Sequence, residues 1–120
     1  MAIDPDDEAL VLFEADFSVG SRIQLMAYEP WRMITSAREQ TQDLLGSVGQ
    51  DLLCALYVDC AGRSIAFSGM DEDESDPVRE LVGPLCPLLG FYSGVEIAPF
   101  MGRARPLDWT GVLALFALRP

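Results

Sequence analysis

Residues 52–58, LLCALYV, are apolar at both parities. A strand with one wet face alternates apolar and polar side chains, so an unbroken apolar run of this length marks a central strand covered on both faces. Such a strand needs neighbours beside it and other elements packed on it. The run therefore commits the chain to a layered sheet, and the remaining segments can be read as what surrounds it.

Before it, residues 9–17, ALVLFEADF, place Ala9, Val11, Phe13, Ala15 and Phe17 on one face and Glu14 and Asp16 on the other, the alternation of a strand. A short link containing Gly20 leads to a second expected strand at 21–28, with Ile23, Leu25 and Ala27 on one side. These two are expected to pair as a hairpin. Glu29-Pro30 opens a helix, since proline at the first helical position loses no needed hydrogen bond. Trp31, Ile34, Ala37, Thr41, Leu44 and Leu45 keep helical spacing, and Gly46 is a natural stop. Beyond the central run, residues 64–67 suggest a short strand extension. Asp76-Pro77 starts a second helix that Gly83-Pro84 ends, and 87–92 and 110–118 read as strands. Residues 93–109 show no period and read as a long loop. The expected fold is a single α/β domain, with α+β as the alternative. Its mixed sheet follows the order β-β-α-β-α-β-β with helices packed on it.

At 120 residues the chain is long enough for one core, and its 50% hydrophobic content excludes disorder throughout. No apolar run approaches the roughly 20 residues of a membrane span. The start, MAIDPDDEAL, carries acids where a signal peptide needs basic residues. The expectation is a cytoplasmic protein with no membrane partner. The net charge of −11 is concentrated in two blocks, Asp4, Asp6, Asp7 and Glu8, and Asp71, Glu72, Asp73, Glu74 and Asp76. Without these nine, ten acids remain against eight arginines. Residues 1–8 are therefore expected to be an acidic flexible terminus and 70–76 a solvated acidic loop. There is no basic footprint for nucleic acid. The loop DEDESD also lacks the glycine and spaced ligands of a calcium site.

The chain has no histidine and no lysine. Histidine-assisted nucleophilic catalysis, Schiff-base chemistry and histidine-bound zinc cannot be built from it alone. General acid–base work would rest on Glu96, Asp108 or a tyrosine, so no enzyme is expected. Cys54 and Cys60 would stand about 20 Å apart on one extended strand, too far for a disulfide, and the cysteines are expected to be buried thiols.

The candidate site residues come from two stretches. In GFYSGVEIAPF, residues 90–100, the order G-x-x-S-G is not that of a nucleophile elbow. The glycines instead suit tight backbone, Tyr92 could wall a pocket, and Glu96 stands between Val95 and Ile97. Glu96 needs a partner: loop N–H groups, a loop arginine such as Arg103 or Arg105, or a cationic or N–H-bearing ligand. Cys60-Ala61-Gly62-Arg63 lies just past the central strand, where open sheets collect ligands. Arg63 can clamp an anion through its planar fork or pair with Asp59 or the acidic loop.

Four pieces in order carry a family resemblance: Val19 to Met26, Cys60 to Arg63, Gly90 to Ser93 leading to Glu96-Ile97-Ala98-Pro99, and Thr110 to Leu115. Together they resemble the C-terminal domain of the FIST family of sensory proteins. The resemblance implies a non-catalytic sensory domain that binds a small ligand such as an amino acid. Its partners would be histidine kinase, chemoreceptor or cyclic-dinucleotide modules and an N-terminal FIST domain that these 120 residues do not contain. Cys60, Arg63, Tyr92 and Glu96 carry over as ligand-binding candidates. Some members bind haem; with no histidine here, no cofactor is expected. In the leading expectation Arg63 meets the carboxylate and Glu96 the ammonium of a zwitterion. The alternative is a protein–protein interaction module with no small ligand, able to form a homodimer over surface that a partner domain would bury.

Overall fold

The structure is a computed structural model and describes residues 2–11, 18–24, 27, 29–49 and 51–118. The apolar run becomes β3 (Leu52–Cys60), the middle strand of a three-stranded sheet. On one side it pairs in parallel with β4 (Leu88–Ser93), and on the other it pairs antiparallel with β7 (Gly111–Ala117). The sheet is therefore mixed, as expected. A parallel pair needs a crossover, and here it runs through a 3-10 turn (Ala61–Arg63), α2 (Ile65–Ser68) and α3 (Ser75–Val82).

Helix α1 (Pro30–Ser47) begins at the expected proline and lies against α3 on one face of the sheet. There Ala55, Tyr57, Val78, Val82 and Cys86 form the buried core, flanked by Ala37, Leu45, Leu113 and Leu115. Ala55 and Tyr57 share this face because they stand two residues apart on β3. Their register partners Leu115 and Leu113 extend the same layer. Burial of Val78 and Val82 contributes about 1.5–3 kcal/mol each.

Among the described residues, the expectation that β3 is covered on both faces holds along its length for one face. The other is covered only at its carboxyl end, where Cys60 is buried and β5 approaches. On that face Leu56 and Val58 are half-buried and Cys54 is exposed. Beside them Leu89, Phe91 and Phe116 are 66%, 52% and 51% exposed. An apolar run records that both faces avoid polar residues; it does not record what covers each.

Other expectations are corrected. Residues 64–67 are not a strand: the Phe67 and Ser68 amides donate to the Ser64 carbonyl, closing the turn of α2, and Gly69 ends it in the left-handed region. Residues 93–109 are not a loop. They form a hairpin of β5 (Glu96–Phe100) and β6 (Arg103–Leu107), turned at Met101 and Gly102, which both have positive φ. That is the primed turn of tight hairpins. Pro99 and Pro106 hide it from sequence patterning, because proline argues against a paired strand. At the other end of the chain, β1 (Ala2–Asp4) pairs with β2 (Ala9–Val11), and the first acidic block forms the turn between them. Of the strand expected at 21–28, residues 21–24 and 27 carry no strand structure. Positions 12–17, 25, 26 and 28 of the expected hairpin lie outside the described residues.

Candidate functional site

At the carboxyl end of β3 the 3-10 turn reverses the chain and returns Arg63 beside Asp59, Nε to Oδ1 at 3.8 Å. The second acidic block comes in from α3. Arg63 donates from Nε and Nη2 to the two carboxylate oxygens of Glu74, a forked pair, and from Nη1 to the Trp109 carbonyl at 2.6 Å. Tyr57 Oη donates to Glu74 Oε1 at 3.3 Å. Asp59 Oδ1 accepts from the Cys60 amide at 2.9 Å, while its Oδ2 is buried with no partner among the described residues. Tyr92 Oη donates to Asp73 Oδ2 at 2.5 Å, and Asp73 Oδ1 accepts from the Ser75 amide at 2.9 Å. The loop that ties α3 to the sheet thus carries both Asp73 and Glu74 in this network.

The acidic block is not uniformly solvated. Asp71 and Glu72 are exposed, but Glu74 is 2% exposed, because it is the counter-ion of a buried arginine. The electrostatics follow from burial. Asp59 is pushed up to about 7, first by burial and then by the charge of Glu74, with Arg63 opposing. Burial also raises Glu74, again against Arg63. Tyr57 and Tyr92 are raised above the ordinary phenol value, by burial first and then by the carboxylates around them. Asp73 is held low because the hydrogen bonds from Tyr92 and Ser75 outweigh its partial burial.

Two cavities flank this network. One, about 360 Å³, lies between α1 and the sheet and is lined by Gln40, Thr41, Tyr57, Arg63, Glu74 and Thr110 among others. The second, about 230 Å³, lies between α3 and β4; its lining includes Tyr57, Asp59, Ser75, Arg79, Gly90 and Tyr92. Tyr57 is common to both. The larger lies within the range of small-molecule sites.

The match between the FIST C domain family model and residues 1–99 now joins this geometry. The chain belongs to the FIST C domain family. The matched stretch of this FIST C domain ends inside β5 and carries β3, the arginine turn, the acidic loop and β4, all of the ion network except the Trp109 carbonyl. Family members are associated with signal transduction. Neither the curated proteins nor the solved structures give a match.

The four expected residues are dispersed around the network. Arg63 lines the larger cavity and Tyr92 the smaller. Cys60 is buried on the opposite face of β3 from Asp59, with Sγ 3.9 Å from Asp108 Oδ1. Glu96 is 1% exposed. Its Oε2 accepts from Thr110 Oγ1 at 3.4 Å, and its Oε1 is buried without a partner among the described residues. Neither Cys60 nor Glu96 lines either cavity. Arg103 and Arg105, offered among the alternative partners of Glu96, stand exposed on β6. Residue patterning missed Tyr57, Asp73 and Glu74 as site residues. Asp59 and the acidic loop were legible only as alternative partners for Arg63. The available signal was Asp59 itself, a carboxylate at the end of a strand that is otherwise apolar. Among the described residues, no cluster of three or more acids or cysteines could hold a metal ion. No helix among them is long and apolar enough to cross a membrane.

Proposed function

We propose that this FIST C domain is a non-catalytic cytoplasmic sensory module whose small ligand, an amino acid, occupies the cavity beside Arg63 and Glu74. The observation that carries this reading is the pairing of a guanidinium and a carboxylate on the wall of one 360 Å³ cavity. A guanidinium has five N–H donors. Three are engaged with Glu74 and Trp109, so two remain for a ligand carboxylate. Glu74 takes the place beside the ligand ammonium that sequence reasoning assigned to Glu96, and Glu96 acts behind it by holding Thr110. Gln40 and Thr41 add uncharged hydrogen-bonding groups from α1. The chain has no histidine or lysine, so the cavity offers no histidine-activated nucleophile and no Schiff-base amine.

The test is thermal-shift and calorimetric screening of the domain against the common amino acids. Binding that weakens about tenfold in Gln40→Ala and in Thr110→Val, with folding intact, supports the site. The reading fails if no amino acid binds, or if one binds both variants as tightly as it binds the unaltered domain.

A second reading, a protein-contact module that works without a small ligand, is favoured by the uncovered sheet face with Leu89, Phe91 and Phe116. Light scattering coupled to size exclusion distinguishes a dimer closed over that face, which Phe91→Ser would dissociate, from a monomer.

A further inference from the structure

Two glycines stand beside Tyr57, Gly111 on the larger cavity and Gly90 on the smaller. A Cβ at Gly111 would lie 2.4 Å from Tyr57 Oη and about 3 Å from its ring. Only glycine lets that phenol lean onto β7. On the other side, Gly90 is the register partner of Tyr57 and stands between Leu88 and Tyr92 on the helix-facing side of β4. A Cβ there would meet only the Tyr57 carbonyl and Cβ, at 3.4 and 3.8 Å. The space above Gly90 is the space a side chain would fill, and it is continuous with the cavity that Tyr57, Asp59, Arg79 and Tyr92 line.

Asp59 is 2% exposed on that lining, and its Oδ2 has no partner among the described residues. Arg63 attracts Asp59 but gives it no hydrogen bond. Its fork is spent on Glu74, and 3.8 Å to Asp59 Oδ1 is too long for a hydrogen bond. Arg79, the other cation on the cavity, reaches Asp76 at 3.2 Å. The carboxylates around the space are Asp59, Glu74, Asp73 and Asp76, against two arginines. A buried carboxylate oxygen with no donor, in a field of net negative charge, is completed by an N–H-bearing cation.

We propose that this cavity binds a small primary amine, its ammonium donating to Asp59 Oδ2 and its apolar body lying over Gly90 between Tyr57 and Tyr92. The two rings suit an arylalkyl chain and add cation–π attraction at the charged end. At about 230 Å³ the space admits a ligand below drug size. This site is separate from the amino-acid cavity across Tyr57 and stands whether or not that cavity is occupied. A ligand carboxylate is not required here, and the surrounding acids disfavour one.

Phenethylamine is the probe and phenylacetate its anionic counterpart, each titrated by calorimetry into the whole 120-residue chain. Phenethylamine is expected to bind and phenylacetate not to. Asp59→Asn keeps Oδ1 for the Cys60 amide and turns a second donor toward the ammonium, so affinity should fall about tenfold or more. Gly90→Ala adds a methyl group at ordinary contact distance from Tyr57, so the fold persists while affinity drops. Gln40→Ala, across Tyr57, should leave phenethylamine binding unchanged while weakening any amino acid bound there, which separates the two sites. Absent phenethylamine binding, equal binding of phenylacetate, or full affinity in Asp59→Asn with unchanged circular dichroism each overturns the proposal.

Discussion

Arg63 and Glu74 meet as a fork with only 11% and 3% of their side chains exposed, whereas Arg38 and Glu80, paired at 2.6 Å, are 43% and 62% exposed. Burial makes these two ion pairs different objects. Arg63→Ala leaves Glu74 and Asp59 buried without their cation, and a broken buried pair costs about 3–5 kcal/mol. Arg38→Ala should cost no more than about 1 kcal/mol, because water screens an exposed pair. Urea unfolding of the two variants measures the contrast. Replacing both members of the buried pair, Arg63→Met with Glu74→Leu, should recover much of the loss, since apolar groups of similar volume need no counter-ion.

The pH dependence of stability should carry the sign of Asp59. Its folded value of about 7 lies above its ordinary carboxylate value, so between those limits the folded state binds more protons than the unfolded. Stability from this group is therefore fully present below the unfolded value and is lost as pH rises through about 7. Glu74 is shifted in the same direction. Melting temperature should fall from about pH 5 to about pH 8. Asp59→Asn should flatten that slope, and an unchanged slope in the variant would remove Asp59 as its source.

Gly111→Ala tests the close approach of Tyr57 to β7. The new methyl group has no room beside the phenol oxygen, and overpacking of this kind costs about 1–3 kcal/mol. Tyr57→Phe removes the atom nearest the methyl group, at the expense of the hydrogen bond to Glu74. The double variant should then lose less than the sum of the two single losses. Strict additivity in chemical denaturation would place the strain elsewhere.

The thiols should separate by accessibility. Cys54 is exposed, while Cys60 and Cys86 are buried, contrary to the expectation that all three are buried. Cys54 sits on the face of β3 that no helix among the described residues covers. In a native-state assay with an aromatic disulfide reagent, Cys54 should react quickly and the others only with local or global opening. Cys54→Ser should abolish the fast phase.

Helices α1 and α3, the central strand and its two neighbours were legible because each is announced locally. Apolar residues repeat at the period of the element, Pro30 opens α1, and Pro77 lies in the first turn of α3. The hairpin of β5 and β6 was not legible, because Pro99 and Pro106 sit in its strands and Met101 occupies a turn position that asparagine usually signals. The candidate site was half legible. Arg63 is named by its place after the central strand, but its partner Glu74 belongs to an acidic block whose composition says only that it is charged.

The sequence by itself determined the mixed sheet around residues 52–58, the absence of histidine and lysine side chains, and the presence of an arginine just past the end of the central strand. Those follow from composition and from periods of two and 3.6 residues. Only the tertiary structure decided which carboxylates Arg63 holds, which keep an oxygen without a partner among the described residues, and that GFYSGVEIAPF contributes a cavity at Gly90 while its glutamate is buried behind Thr110. Partners 11 and 46 residues from Arg63 are brought together by chain crossings, and no local pattern encodes them.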